Sequence, residues 1–289
     1  RPVFACIINT NSPLQLDVPM AEGLITFAEH GQVNVITPFT LSGAMAPVTI
    51  AGALTLQHAE ALAGIALCQI VRPGVPVMYG GFTSNVDMRS GAPAFGTPEY
   101  TQAAQASGQL ARLIDIPFRS SNVNAANAVD AQAAYESVFS LWGVTMGGGN
   151  FVMHGAGWLE GGLVAGFEKF VLDCDLIQMV MEFMTPLDTT EDALGVEAIR
   201  EVGPGGHFFG AQHTLARYSN AFYAPIISDW RNSQQWEAAG KPEAMQRANT
   251  VYKQALEEYV EPALDPARRE ELDAFVDRRK REGGAPTDF

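Results

Sequence analysis

The residues able to do chemistry follow short apolar runs. Phe151-Val152-Met153 is apolar without helical continuation, so it reads as a buried strand. His154 ends it, and a glycine-rich turn follows: Gly155, Gly157, Gly161 and Gly162, with Trp158 and Glu160 among them. Glycine accepts backbone angles and close approaches that other residues resist. An ionisable strand end followed by a glycine-rich loop is how α/β barrels build active sites. A lone histidine in such a place is as often simply bonded to backbone at a tight turn. What favours chemistry here is repetition. Asn9, Asn11, Phe39, Tyr79, Phe82, Asp87, Phe95 and Asn122 also follow strand-like runs.

This set contains no lysine and no paired cysteines, which argues against Schiff-base and thiol chemistry. His154, Glu160 and Asp87 could ligate a metal, but three scattered ligands are a weak signal, and no metal site is expected. Gly161-Gly162 before a helix leaves a phosphate site open. Aromatic rings around a carboxylate suit a quaternary ammonium ion, which takes ring faces and one countercharge. Phe39, Tyr79, Phe82, Phe95 and Trp158 are the candidate rings, with Glu160 or Asp87 as countercharge. Two or three of the five rings are expected to be packing alone.

The elements that position these residues follow a rhythm. Strands are predicted at Val3–Ile8, Val33–Ile36, Val75–Tyr79, Ile116–Arg119 and Phe151–His154. Helices are predicted at Met20–His30, Thr49–Val71 and Thr97–Ile114, then from Asp130 and from about Gly166. Thr97-Pro98 is a helix start, with threonine as cap and proline in the first turn. His58 falls within the apolar stripe of the long second helix and reads as a core histidine satisfied by a neighbour. Tyr135, Val138, Phe139 and Trp142 form the expected buried face of the fourth helix. Phe167, Phe170, Val171, Cys174, Ile177, Met181 and Met184 form that of the fifth. After Thr185 the chain becomes helical, with Leu272, Phe275 and Val276 expected inward on the last helix. Residues 1–187 thus read as five βα units, and 188–289 as a helical segment packed on the same domain. Repeated βα units imply a parallel sheet covered on both faces. No G-x-G-x-x-G follows the first strand, and Gly147-Gly148-Gly149 precedes a strand, which disfavours a doubly wound dinucleotide fold. The expected fold is a TIM (β/α)8-type barrel with five of its eight units present.

Bulk properties narrow the class. The chain has 289 residues, 47% hydrophobic and 17% charged, against roughly 25% charged in ordinary soluble domains. A net charge of −14 makes nucleic acid an unfavourable partner. No apolar run approaches the roughly 18 residues of a membrane span, and no secretory leader is visible, so a cytoplasmic protein is expected. Cys6, Cys68 and Cys174 read as reduced core thiols. Arg1 abuts a strand, so the chain reads as a piece of something longer, and a homo-oligomer is expected.

Four longer motifs carry a resemblance. They are Ser42-Gly43-Ala44-Met45-Ala46-Pro47-Val48-Thr49, Asp87-Met88-Arg89-Ser90-Gly91-Ala92-Pro93, His154-Gly155-Ala156-Gly157, and Glu201-Val202-Gly203-Pro204-Gly205-Gly206-His207-Phe208. In this order they resemble the trimethylamine methyltransferase family across essentially the whole chain. The resemblance implies the carboxy-terminal part of a barrel enzyme that moves a methyl group from a methylated amine to the Co(I) of a corrinoid carried by a partner protein. No cofactor is then bound directly. The founding archaeal enzyme carries pyrrolysine; this chain has standard residues only, and the Ser120–Asp130 loop is where the replaced position is expected. A quaternary ammonium expels a neutral amine, whereas a neutral tertiary amine needs activation first. Glycine betaine is thus a better expected substrate than trimethylamine. The candidate catalytic residues are His154 and Glu160. Asn9, Phe39, Tyr79, Phe82, Asp87, Arg89, Phe95, Asn122, Trp158 and His207 are the candidate substrate contacts. His154 is preferred over His207 and Arg89 for a substrate carboxylate. The competing expectation is a non-catalytic amine-binding chain, since five strands alone leave an open sheet edge.

Overall fold

A computed structural model describes residues 1–283. The chain divides into two compact units, Arg1–Tyr252 and Lys253 onward. The first begins β1 (Ala5–Ile8), α1 (Val18–Glu29), β2 (Val33–Ile36), β3 (Leu41–Ser42) and α2 (Ile50–Val71). It continues β4 (Val77–Gly80), β5 (Ser84–Val86), β6 (Pro93–Ala94), α3 (Pro98–Leu113), β7 (Phe118–Ser121) and α4 (Ala131–Met146). Then come β8 (Phe151–Met153), β9 (Trp158–Leu159), β10 (Val164–Ala165) and α5 (Phe167–Met184). Short helices α6 (Glu191–Leu194), α7 (Val196–Val202), α8 (Gln212–Leu215) and α9 (Ser233–Ala238) follow. The last two are α10 (Ala244–Glu257) and, in the second unit, α11 (Pro266–Arg281).

Five strands pair in the order β1-β2-β4-β7-β8, every pair parallel. Chain order is kept across the sheet, without the reversal that marks a doubly wound fold. The remaining strands form two small sheets over the strand ends, β3-β5-β6 and β9-β10. The sequence suggests only loops there, because two- and three-residue strands leave no periodic pattern. Helix starts are locally coded: Asp17, Thr49, Thr97 and Asp130 each cap with a side-chain oxygen. The core between sheet and helices holds Ile8, Ile36, Tyr79 and Phe118 from the strands, with Leu24, Ile65, Cys68 and Val144 from helices.

Three expectations need correction. The fourth paired strand begins at Phe118, two residues later than predicted, because Pro117 has no N–H for a ladder and offers only its carbonyl, to Tyr79 N at 2.8 Å. Second, the apolar stripes of α4 and α5 lie largely outward: Tyr135, Val138, Phe139, Trp142, Phe167, Phe170, Met181 and Met184 are all exposed, while Val171 is buried. The face α4 buries is Ala133, Glu136, Ser137, Ser140, Leu141, Gly143 and Val144. Small residues are required because α3 and α4 approach closely; a Cβ on Gly108 would stand 1.9 Å from the Gly147 carbonyl oxygen. On α11, Leu272, Phe275 and Val276 are likewise exposed.

Third, α2 is long and apolar enough to cross a membrane by length and composition, at 22 residues and a mean hydropathy of 1.3. Its polar residues are nonetheless spent inside the protein. Gln57 donates to Tyr79 Oη and Ser107 Oγ, and His58 Nδ1 lies 3.2 Å from Tyr79 Oη, so His58 is the satisfied core histidine expected. Buried Glu60 accepts from Thr10 Oγ1, from Ser12 Oγ at 2.8 Å and from Leu14 N at 2.7 Å, tying the loop after β1 to this helix. Glu60→Ala leaves those donors without an acceptor. It is expected to lower stability by about 3 kcal/mol, measured by denaturant unfolding, with an effect under about 0.5 kcal/mol counting against this role.

Candidate active site

Side chains two apart on a strand share a face. Phe118 enters the helix-side core, so Arg119 and Ser121 point to the opposite face of the sheet. Arg119 is 1% exposed. Its guanidinium carbon lies 5.6 Å from the centre of the Phe82 ring. Among the described residues no carboxylate pairs with it, and its Nε is buried without a partner. Burial lowers its pKa to about 10, so it remains a cation at neutral pH.

His154 stands beside it, on the turn after β8, with φ at 54°. Its Nδ1 faces two donors, Arg119 Nη2 at 3.5 Å and Ser121 Oγ at 3.3 Å, which places the ring proton on Nε2. Burial first, and then the Arg119 charge, push the His154 pKa down to about 4. The ring is therefore neutral at physiological pH. It stacks on Trp158, with centroids 4.0 Å apart and planes 8° off parallel.

Trp158 joins a ring cluster. Its indole meets Phe82 edge-on at 6.2 Å; Phe82 lies 5.3 Å from Phe39 and 5.5 Å from Phe95. Tyr100 closes the cluster from α3, 6.3 Å from Phe82 and 6.2 Å from Phe95. Phe95 is 1% exposed and Phe82 is 7% exposed, so both are mainly packing. Phe39 and Trp158 are only half-buried. The result is an aromatic wall next to an arginine without a countercharge.

Two loops hold these groups. Asn122 Nδ2 donates to the Gly155 carbonyl at 2.9 Å, Glu160 N to Ala126 O at 2.9 Å, and Gly161 N to Asn124 O at 2.9 Å. The loop after β7 is thereby sewn to the turn after β8. Gly162, at φ 97°, must be glycine for a steric reason as well, since a Cβ there would lie 2.1 Å from Trp158 Cζ2.

The other predicted residues do not join the wall. Tyr79 lies in the helix-side core, bonded to Gln57 and His58, and burial pushes its pKa up to about 12. Its ring is a structural element, because an odd shift along the strand sends a side chain to the other face. Asp87 is exposed and spends its carboxylate on its own turn, accepting from Ser90 Oγ at 2.6 Å, Ser90 N at 3.1 Å and Arg89 N at 3.2 Å. Arg89 is exposed on that turn, and Asn9 is exposed beyond β1. Glu160 sits at the wall's edge on a positive-φ turn, with its side chain exposed. His207 is exposed, its ring beside Phe209 at 6.0 Å. Arg119 and Tyr100 are the residues that sequence reasoning missed. The available signal was an arginine inside an otherwise uncharged strand segment, Pro117-Phe118-Arg119-Ser120-Ser121. A cavity of about 750 Å³ lies between α6, α7 and α8, and none of the predicted site residues lines it.

The sequence model of the family described as trimethylamine methyltransferase (MTTB) matches residues 1–284. The chain belongs to the trimethylamine methyltransferase family. It is 40% identical over 285 residues to a glycine betaine methyltransferase of Desulfitobacterium hafniense (strain Y51), a match covering 98% of this chain and 59% of that protein. It is 31% identical over 285 residues to trimethylamine methyltransferase MttB2 of Methanosarcina mazei, covering 97% and 57% of the two chains. It is 32% identical over 282 residues to trimethylamine methyltransferase MttB1 of Methanosarcina acetivorans, covering 96% and 56%. The chain thus spans somewhat over half the length of these family members.

The electrostatics make a direct prediction. The folded-state pKa of His154, about 4, lies below the roughly 6.5 of a free imidazole, so the folded protein binds fewer protons between those values. The stability that this residue confers is full above about pH 6.5 and is lost as pH falls toward 4. An NMR titration of the His154 ring is expected to give a midpoint near 4, moving up in Arg119→Met. A midpoint near 6.5 in the parent protein would contradict the geometry.

Proposed function

We propose that this chain forms the substrate-holding part of a methyltransferase that takes a methyl group from a quaternary ammonium zwitterion such as glycine betaine. The observation that carries the reading is Arg119, a buried cation with no carboxylate partner among the described residues, set against an aromatic wall. A buried guanidinium is strongly disfavoured unless something anionic completes it. A substrate carboxylate does so. Phe39 and Trp158 then offer ring faces to the ammonium end, each contact contributing roughly 0.5–2 kcal/mol depending on desolvation. Neutral His154 keeps a second positive charge away from that ammonium and fixes the Trp158 plane. A bare amine such as trimethylamine leaves Arg119 without a partner, and in its protonated form adds a like charge beside it. Trimethylamine is therefore the second reading, supported by the family's description and the names of several relatives.

The methyl acceptor in this reading is a Co(I) corrinoid carried by a separate protein, which supplies a strong nucleophile toward the methyl carbon. The chain's own residues bind and orient the substrate and limit water around it. The leaving group is a neutral tertiary amine, so none of these residues has to donate a proton as it departs. The five sequential parallel strands fit a (β/α)8-type barrel arc whose interior face presents Arg119. A cytoplasmic location and a homo-oligomeric assembly remain part of the proposal.

Calorimetry with glycine betaine, choline and trimethylamine tests the substrate. Arg119→Gln is expected to weaken betaine binding about 100-fold, near 3 kcal/mol, and to change choline binding less than about threefold. Equal losses for betaine and choline, or tighter trimethylamine than betaine binding by the parent, would overturn the zwitterion reading. Methyl transfer to a Co(I) corrinoid, followed spectroscopically, tests the reaction.

A further inference from the structure

A second set of charges lies behind the wall. Lys169 and Asp173 stand one turn apart on α5, each 2% exposed. Lys169 Nζ donates to Asp173 Oδ1 at 2.6 Å and Oδ2 at 2.5 Å, and to Ser137 Oγ at 2.9 Å. Burying such a pair takes more free energy than the attraction returns unless further hydrogen bonds complete it, and an apolar pair of similar size often serves stability better. Stability alone is a poor reason for these residues. Their remaining bonds supply another. Asp173 Oδ2 accepts from Gly157 N at 2.8 Å, in the turn after β8, immediately before Trp158. Ser137 Oγ also accepts from Asn124 Nδ2 at 3.3 Å, in the loop after β7. Asn124 O in turn accepts from Gly161 N at 2.9 Å. Glu136, beside Ser137 on α4, completes the arrangement by accepting from Ala125 N at 2.8 Å and Ala126 N at 3.0 Å.

We infer that Lys169 and Asp173 are positioning residues that lock the two site loops to each other, and so set the plane of Trp158 against His154 and the Arg119 side of the wall. Neither touches the wall itself. Lys169 reaches one loop through Ser137 and Asn124, and Asp173 reaches the other through the Gly157 N–H. A merely structural role for the pair would be to anchor α5, and that helix carries its own control. Asp175 is buried two residues on and accepts from Ile226 N at 2.7 Å and from Ser228 N and Oγ at 3.2 and 2.9 Å. It ties α5 to residues 223–228, and these partners lie in neither site loop.

The test compares Lys169→Met, Asp173→Asn and Asp175→Asn in the intact protein, at a temperature where each keeps the parent's circular dichroism. Hydrogen exchange followed by mass spectrometry over residues 122–126 and 155–162 is the readout independent of activity. Exchange there is expected to accelerate at least tenfold in Lys169→Met and Asp173→Asn and to stay within threefold in Asp175→Asn. The kinetic readout rests on the substrate reading above: kcat/KM for glycine betaine falls about 30-fold in the first two variants, most of it in KM, and under threefold in the third. Unchanged exchange overturns the inference whatever the substrate proves to be. So does an Asp175→Asn variant that loses as much, or faster exchange with unchanged kcat/KM. If Asp173→Asn does not fold, Ser137→Ala decides: it removes only the link from Lys169 to Asn124, and unchanged exchange over 122–126 overturns the inference. A parent protein that turns over no quaternary amine removes the substrate reading alone and leaves the exchange result to decide the loop coupling.

Discussion

A guanidinium held nearly dry, without a countercharge, is the constraint around which this chain is arranged. Moving a charge out of water is costly by several kcal/mol even after relaxation. Arg119 is 1% exposed, yet among the described residues no carboxylate pairs with it. Its contacts are instead the Phe82 face and a neutral imidazole, whose Nδ1 also meets the Ser121 hydroxyl. Those contacts soften the cost without cancelling it. The neutrality of His154 follows from its burial first and then from this charge, since a second cation at 3.5 Å would add repulsion. The tautomer follows as well, because Nδ1 must accept. An acceptor-facing Nδ1 and a stacked indole fix the imidazole at both its edge and its face. Burial and one charge together thus keep His154 neutral, and that charge sets its tautomer.

Holding such a site in place accounts for the odd chemistry of the helix interiors. Loops that curl over strand ends expose N–H groups that the sheet cannot satisfy. Here the helices satisfy many of them. Glu60 serves the loop after β1, Glu136 the loop after β7 and Asp173 the turn after β8. Gln57 does the same for the loop after β4, accepting from Thr83 Oγ1 at 2.7 Å, next to Phe82. Polar side chains of α2, α4 and α5 therefore point inward beneath these loops, at the expense of apolar area. The helices bury alanine, serine and glycine around those groups, which lets the backbones close to contact distance.

That arrangement explains what could be read from the sequence and what could not. Strand runs, helix caps and the unit rhythm are local signals, and they place the five paired strands within about two residues. The aromatic wall was legible because Phe39, Phe82, Phe95 and Trp158 all follow strand ends. Helix faces were not legible. Periodicity assigns the inward face to the largest apolar residues, so Phe139 and Trp142 are expected inside. The interior of α4 is instead chosen by hydrogen-bond demand and by closeness to α3, neither of which hydrophobic spacing encodes. Tyr79 was misjudged for a related reason. A strand end says that a side chain lies near the rim but leaves open which face it takes, and Tyr79 takes the helix side with Phe118. Arg119 was hidden by the same ambiguity, since it is the last residue of the predicted strand Ile116–Arg119 and its spacing does not say which face it takes.

The same geometry bears on how much of the wall has to be free. Phe95, Tyr100 and most of Phe82 are consumed by contact with one another, so their faces are not available to a ligand. They back the two half-buried rings, Phe39 and Trp158. A cation–π contact weakens quickly when the ring tilts or water intervenes. Rigid support behind two rings is therefore worth more than a third ring without it. Trp158 has two such supports: the imidazole of His154 stacks on it, and Gly162 lies against its six-membered ring, where any side chain would collide. Protonating His154 would disturb that plane and place a second cation beside Arg119. Keeping this histidine neutral thus preserves the Arg119 contact and the Trp158 stack together.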